Sequence, residues 1–322
     1  MLPEIAVVVP SHERPLRLRS LLDSLEAQTL DAERWELVVV FDDAGDASAT
    51  LLAEHPLAKT GRLRVVRLAP GMGTASRKRN VGWRRARASL IVFTDDDCRA
   101  EPSWLEELLA VACSQRARTI LQGATRPDPY EAGAIDLTPC VRTLRVDPPS
   151  PYAQTCNIAY PRAMLESLAG FDETFLTAGE DTDLFMRARA AGAIYVGVPR
   201  AIVNHAVETY SLAAMVRLSW KWQQLPYVVR RHPQVRSNFK LGVFWRPTHA
   251  ALTSALLLSP WVRGRRLKGL LFMPYLSMHL ASARAPRRWS RGVVELPSRV
   301  VIDLAEFLAL VSGSLRYRTL FL

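Results

Sequence analysis

The chain has 322 residues, 49% of them hydrophobic and 23% charged, which is enough for two domains of ordinary size and a large core. That composition excludes a disordered tail, a collagen-like fibre, a low-complexity segment and a coiled coil. The formal charge of +11 is unevenly divided: residues 206–322 hold 18 basic and four acidic residues and residues 1–205 hold 24 and 27, so the first part carries −3 and the second +14.

Only five of the 42 basic residues are lysine, so the arginine richness reads as codon preference and the asymmetry carries the information. A basic, apolar-rich second part suits a polyanionic surface, either membrane phosphates or nucleic acid. Zinc-finger spacing, an RNP-like aromatic strand and a basic helix with heptads are all missing, so nucleic acid is not expected as a partner. Cys98, Cys113, Cys140 and Cys156 form no CxxC pair, which suits a reducing compartment. No positively charged region or small-residue cleavage site opens the chain, so the expected location is the cytoplasm.

In chain order, residues 5–9 form a β-branched run ended by Pro10, and Leu18, Leu21, Leu22 and Leu25 follow at helical spacing. Residues 37–41 are a second strand, ended by Asp42-Asp43, and a helix runs through Leu51 and Leu52. A third strand at 63–68 and a helix at 77–88 lead to a fourth strand at 90–94, which ends at Asp95-Asp96-Asp97. This βαβαβαβ alternation predicts an α/β fold with a mainly parallel sheet covered by helices on both faces, binding its ligand at the carboxyl ends of the strands. Ser103 is the expected N-cap of a further helix, with Glu106 as the return half of a capping box. Residues 127–152 hold six prolines and read as a linker or a substrate-facing insertion.

Strand-to-helix turns favour Asp for local hydrogen bonding, which by itself explains any single acidic cluster. Three clusters, Asp42-Asp43, Asp95-Asp96-Asp97 and Glu180-Asp181, repel one another on one rim unless a cation or donors lie among them. A divalent metal with a phosphorylated ligand removes that repulsion. Mg²⁺ or Mn²⁺ takes oxygen ligands from one or two carboxylates plus phosphates, so an Asp-x-Asp at a strand end is chemically suited.

These pieces resemble glycosyltransferase family 2, inverting enzymes of the GT-A fold, in the bacterial type with a basic C-terminal helical region. In family order they are Val7-Val8-Val9-Pro10-Ser11 with Arg14, Asp42-Asp43, Arg79-Asn80-Val81-Gly82, Phe93-Thr94-Asp95-Asp96-Asp97, Asn157 with Arg162, Gly170-Phe171-Asp172-Glu173 and Gly179-Glu180-Asp181-Thr182-Asp183-Leu184. The resemblance covers residues 4–205. It implies a nucleotide-sugar donor held by Pro10, Arg14, Asp42 or Asp43, Arg79, Asp95 and Asp96, and a divalent metal, Mg²⁺ or Mn²⁺, held by Asp97. Asp181 is then the general base, and Asn157 and Glu180 contact the acceptor or the sugar. His205 is either a further metal ligand or a packed residue, and Glu180 either a sugar contact or a first-turn carboxylate favoured by the helix dipole. Asp183 and Arg187, four apart, are expected to pair on the helix surface. The rivals are a catalytically silent nucleotide- or glycan-binding module and an NAD-dependent oxidoreductase. The dinucleotide fingerprint fails, because Ser76 replaces its third glycine after Gly71-Met72-Gly73.

The expected boundary lies between a catalytic domain at 1–205 and a basic, apolar-rich helical region at 206–322. Two uncharged stretches in the latter, 247–262 and 269–283, are shorter than the roughly 18 residues of a span and each contains a proline. A spanning hairpin would carry the four positive charges of residues 263–268 to the wrong side. Interfacial or re-entrant helices on an anionic membrane face, holding the enzyme peripherally near a glycan or lipid-linked acceptor, are therefore favoured. The alternative is a helical subdomain with a solvated Arg-rich face. Trp220-Lys221-Trp222 is either an aromatic and basic site segment, core packing or a membrane contact.

Overall fold

The computed structural model describes residues 2–45, 47–281 and 286–322, without the side chains of 286–291; the end of the uncharged stretch at Ala283 lies outside the described residues. The chain divides into two compact units, Met1–Gly133 with Thr143–Val207 and Ala134–Arg142 with Glu208–Leu322.

The first unit contains β1 (Ile5–Ser11), α1 (Pro15–Glu26), β2 (Trp35–Phe41), α2 (Ala47–Glu54), α3 (Pro56–Lys59), β3 (Leu63–Arg67), α4 (Ala75–Arg85), β4 (Leu90–Phe93), β5 (Cys98–Ala100), α5 (Trp104–Ser114) and β6 (Thr119–Pro127). After β7 (Val141–Arg142), which belongs to the second unit, come β8 (Ile158–Pro161), α6 (Arg162–Ser167), α7 (Glu180–Ala190) and β9 (Ile194–His205).

Eight strands pair in the order β3-β2-β1-β4-β8-β6-β9-β5. The first four are parallel, as is β6 with β9, whereas β8 runs against both its neighbours and β5 against β9. The chain winds outward from β1 to β3 and then returns to the other side of β1 as β4. That reversal makes the carboxyl ends of β1 and β4 a topological switch point, where open α/β sheets bind ligands.

Period-2 alternation along β1 divides the core between two faces. Ile5, Val7 and Val9 pack with Leu18, Leu21, Leu22 and Leu25 of α1 and with Trp104 and Leu105 of α5. Ala6 and Val8 pack with Trp83 of α4, Met164 and Leu165 of α6, and Leu184 and Phe185 of α7. Burial on both faces accounts for the near-continuous apolar strands.

Two local expectations differ from the structure. β1 continues through Pro10 to Ser11, since β4 stops pairing at Val8 and the strand beyond has a partner on one side only. Ser103 does occupy the N-cap of α5 but makes no side-chain cap. Its φ of −88° and ψ of 4° are outside the extended region that aims a capping hydroxyl at the first turn, and Glu106 accepts instead from Thr29 Oγ1 at 2.7 Å.

In the second unit β7 pairs antiparallel with β10 (Glu208–Thr209). Helices α8 (Leu212–Ser219), α9 (Leu225–Arg231), α10 (Pro247–Leu258), α11 (Arg265–Leu271), α12 (Met273–Ala281) and α13 (Pro286–Tyr317) follow. Val229, Leu310 and Phe321 form a small core flanked by Trp222 and Trp245, whose rings are 5.3 Å apart, so Trp222 is a packing residue. Of residues 127–152, Ala134–Arg142 belong to the second unit and the rest to the first, a division that a proline-rich stretch alone does not reveal. Among the described residues, no helix is long and apolar enough to cross a membrane.

Candidate active site

The site is built where β1, β2 and β4 end. Ser11 Oγ donates to Asp96 Oδ2 at 2.8 Å, and the His12 amide donates to the same oxygen at 3.2 Å. Arg14 Nη1 donates to Asp97 Oδ2 at 2.6 Å and lies 3.7 Å from Asp96 Oδ1. Pro10 stands half-buried at the start of this loop. Burial pushes the Asp96 carboxyl up to about 6, against the pull of Arg14.

At the end of β2, Asp42 and Asp43 are buried and engaged by the protein itself. Asp42 meets His12 Nδ1 at 2.8 Å, the Gly73 amide at 3.1 Å and Lys78 Nζ in an ion pair. Asp43 accepts from the Glu13 amide at 2.6 Å and from Ser48 Oγ. Burial pushes Asp42 up, but the hydrogen bonds from Lys78 and His12 outweigh it and hold the carboxyl below its usual range. Through these contacts Asp42 and Asp43 organise the 11–14 loop. His12, 56% exposed, is the group this arrangement presents to solvent.

Arg79 joins two of the acidic clusters. Buried in α4, it donates from Nη2 to Asp95 Oδ1 and from Nη1 to Glu180 Oε1, each at 2.8 Å. Burial raises the Asp95 carboxyl, yet the charge and hydrogen bond of Arg79 hold it below its usual range. Glu180 is consequently the second arm of a buried ion pair, more than a first-turn carboxylate. Gly179, at φ 100°, turns the chain in a conformation that suits glycine and sets Glu180 and Asp181 at the start of α7. Asp181 accepts from the Thr182 amide at 2.8 Å. Burial, reinforced by the neighbouring Glu180 charge, pushes its carboxyl up to about 7, where a general base works best at neutral pH.

Asp97 and His205 come together through the β5–β9 ladder, in which Cys98 pairs with His205. His205 Nε2 lies 3.7 Å from Asp97 Oδ1, and that oxygen is buried with no hydrogen-bond partner. His205 Nδ1 lies 2.8 Å from the Ala206 carbonyl. Donation to that carbonyl leaves the lone pair on Nε2, the tautomer a metal requires. An orphaned carboxylate oxygen opposite an imidazole lone pair fits a divalent cation.

Two further residues depart from expectation. Asn157 does not face a sugar. Its Oδ1 accepts from Trp104 Nε1 at 2.8 Å and its Nδ2 donates to the Ala124 and Ala201 carbonyls at 2.8 and 2.9 Å, so a fully buried amide pins β6, β8 and β9 together. Asp183 does pair with Arg187, at 2.8 Å, but it is 0% exposed. Arg187 also caps the Leu168 and Gly170 carbonyls, so this pair is an interior fastening.

Lys78 and His12 carry no role in the sequence reading, and Ser11 only a place in the first strand's motif, although all three touch the strand-end acids. Lys78 had a signal: it is one of two lysines among the 24 basic residues of 1–205. Gly73 belongs here too, since a Cβ on it would lie 2.5 Å from Lys78 Cε.

Known proteins resemble the chain in sequence and in fold. Residues 6–131 match the sequence model of Glycosyl transferase family 2. Validoxylamine A glucosyltransferase of Streptomyces hygroscopicus subsp. jinggangensis is 26% identical over 225 residues, covering 59% of this chain and 52% of that protein. The chain thus spans about half the length of this curated relative. The mannosyltransferase PcManGT of Pyrobaculum calidifontis, solved with GDP-Man and Mn²⁺, superposes over 99% of this chain and 88% of its own with a TM-score of 0.59 at 16% identity. Residues 1–349 of S. aureus TarS, solved with UDP, give 0.54 at 17% identity, covering 98% and 92%. At such identities the two structures establish the fold, which is GT-A, and the likeness to glycosyl transferase family 2 in sequence rests on residues 6–131.

Proposed function

We propose that the chain is an inverting glycosyltransferase that moves a sugar from a nucleoside-diphosphate donor to a hydroxyl of a glycan or lipid-linked acceptor. The observation that carries this reading is Asp181, a carboxyl raised to about 7 and adjacent to the Glu180–Arg79–Asp95 bridge. In the proposed reaction the Asp181 carboxylate takes the proton of the acceptor hydroxyl while that oxygen bonds to the anomeric carbon. The bond from that carbon to the diphosphate breaks on the opposite face, its electron pair leaves with the diphosphate, and the configuration inverts. Asp97 and His205 would hold a divalent cation, which would supply charge neutralisation at the diphosphate. Arg14 supplies a second cation there, Asp95 and Asp96 shape the donor pocket, and Asp42 and Asp43 act through the loop they hold.

The second unit is assigned to an anionic membrane surface, where it would meet a lipid-linked acceptor. Leu256, Leu257, Leu258, Trp261, Leu267 and Leu270 are exposed, and so are Arg263, Arg265, Arg266 and Lys268 between them. Such a mixture suits an interface of headgroups and acyl chains.

Thermal stabilisation by nucleoside diphosphates and nucleotide sugars, with Mn²⁺ or Mg²⁺ and again with chelator, tests the donor reading. Metal-dependent stabilisation by one nucleotide is expected, since a ligand of the native state stabilises it by mass action. No shift with any nucleotide would overturn it.

A further inference from the structure

The second unit buries a polar cluster that glycosyl transfer does not use. Asp303 and Glu306, three apart on α13, and His249 of α10 bring one ligand atom each to within 4.8 Å of one another, all three residues being buried. His249 is 0% exposed, and neither of its ring nitrogens has a hydrogen-bond partner. Its Nε2 lies 3.6 Å from Asp303 Oδ1, and Nε2 of His279, on α12, lies 3.9 Å from Asp303 Oδ2.

These separations say what is missing. A charge-assisted bond between imidazole and carboxylate closes to about 2.8 Å, so 3.6 Å is too long for one. Donors around a tetrahedral ion with bonds of about 2.0–2.1 Å stand about 3.4 Å apart, close to the 3.6 Å between His249 Nε2 and Asp303 Oδ1. Thr248 Oγ1 donates to Asp303 Oδ1 at 2.8 Å, and Arg246 pairs with Glu306 at 2.7 and 3.0 Å. Two carboxylates are thus buried in helical packing, where an ion without full compensation is costly.

We propose that His249, Asp303 and Glu306, with His279 completing the set, bind a divalent transition-metal ion of the zinc class that ties α10, α12 and α13 together. Mixed imidazole and carboxylate donors select Zn²⁺, Co²⁺ or Ni²⁺ over Mg²⁺, which demands an octahedron of oxygens. The site's role is structural, and it stands whether or not the donor reading of the first unit holds.

The test uses the full chain carrying Asp97→Asn, which removes the proposed ion of the first unit. The protein is stripped with chelator and titrated with Co²⁺. A visible tetrahedral Co²⁺ band saturating at one equivalent and displaced by Zn²⁺ is expected, with a Tm rise of roughly 5 °C at hundredfold excess over Kd. His249→Gln should weaken Co²⁺ binding at least tenfold. Where that variant does not fold, His279→Gln, at a side chain 10% exposed, should do the same. A folded Asp97→Asn protein with neither band nor Tm shift would overturn the site and leave a hydrated polar cluster in its place. So would a band of unchanged strength in His279→Gln.

Discussion

In the first unit acidic side chains gather at strand ends, and the cations that answer them, Lys78 and Arg79, are buried with them. In residues 206–322 three of the four acids, Glu295, Asp303 and Glu306, are buried, while Arg263, Arg265, Arg266 and Lys268 face solvent. The first arrangement concentrates opposite charges in one pocket, where burial and neighbours move individual carboxyls apart: Asp95 is held low, and Asp96 and Asp181 rise to about 6 and about 7. The second removes acids from the surface and leaves an outward field of one sign. Pocket chemistry comes from mixing charges, and long-range attraction comes from separating them.

The comparison is broken most severely at Asp181. Asp181→Asn should lower the rate of transfer by about 10³-fold, within the usual range for a positioned base, and leave nucleotide affinity within about twofold; isothermal titration beside a product assay separates the two. Undiminished transfer would remove Asp181 from the chemistry. Because its folded pKa is raised above the ordinary carboxylate value, the native state holds a proton that the unfolded state has released. Stability therefore falls as pH rises from about 4 to about 7, and transfer, which needs the carboxylate, rises over the upper part of the same range. Asp181→Asn should accordingly be more stable than the parent at pH 8 and lose that advantage near pH 4, as denaturation at both pH values will show.

Next in size is Arg79→Gln. With Asp95 and Glu180 left uncompensated, about 3 kcal/mol of stability should be lost. The favourable charge beside Asp181 also disappears, so the acid limb of the rate profile should move above pH 7. An unmoved limb in a folded variant would disconnect the bridge from the base. The smallest effect tests the second unit: Lys268→Gln should weaken binding to anionic vesicles by about 1 kcal/mol, roughly fivefold. Binding of the parent should fall steeply with salt, and equal binding to neutral vesicles would remove charge from the explanation.

Much of the first unit was legible because its signals are local. Residues 5–9, 37–41, 63–68 and 90–94 read as strands from short apolar runs, and the acids that close the second and fourth are adjacent in sequence to the residues that make the turn. Asn157 and Asp183 were misread because polarity is a property of the residue and burial is not. Nothing near Asn157 in sequence announces that Trp104, Ala124 and Ala201 converge on its amide. The capping box at Ser103 failed for the converse reason, since a matching pair of residue types does not set the backbone angle that aims the hydroxyl.

The amino-acid order alone thus determined the alternation of elements, the charge division between the two parts and the positions of the acidic clusters, all set by neighbours within a turn or a strand. Tertiary structure decided which of those acids stay available. Asp42 and Asp43 are occupied by His12, Lys78 and backbone donors, while Asp97 keeps an orphaned oxygen opposite His205, 108 residues along the chain. Availability is a balance of desolvation and partners, and both depend on what the fold brings to within a few ångströms.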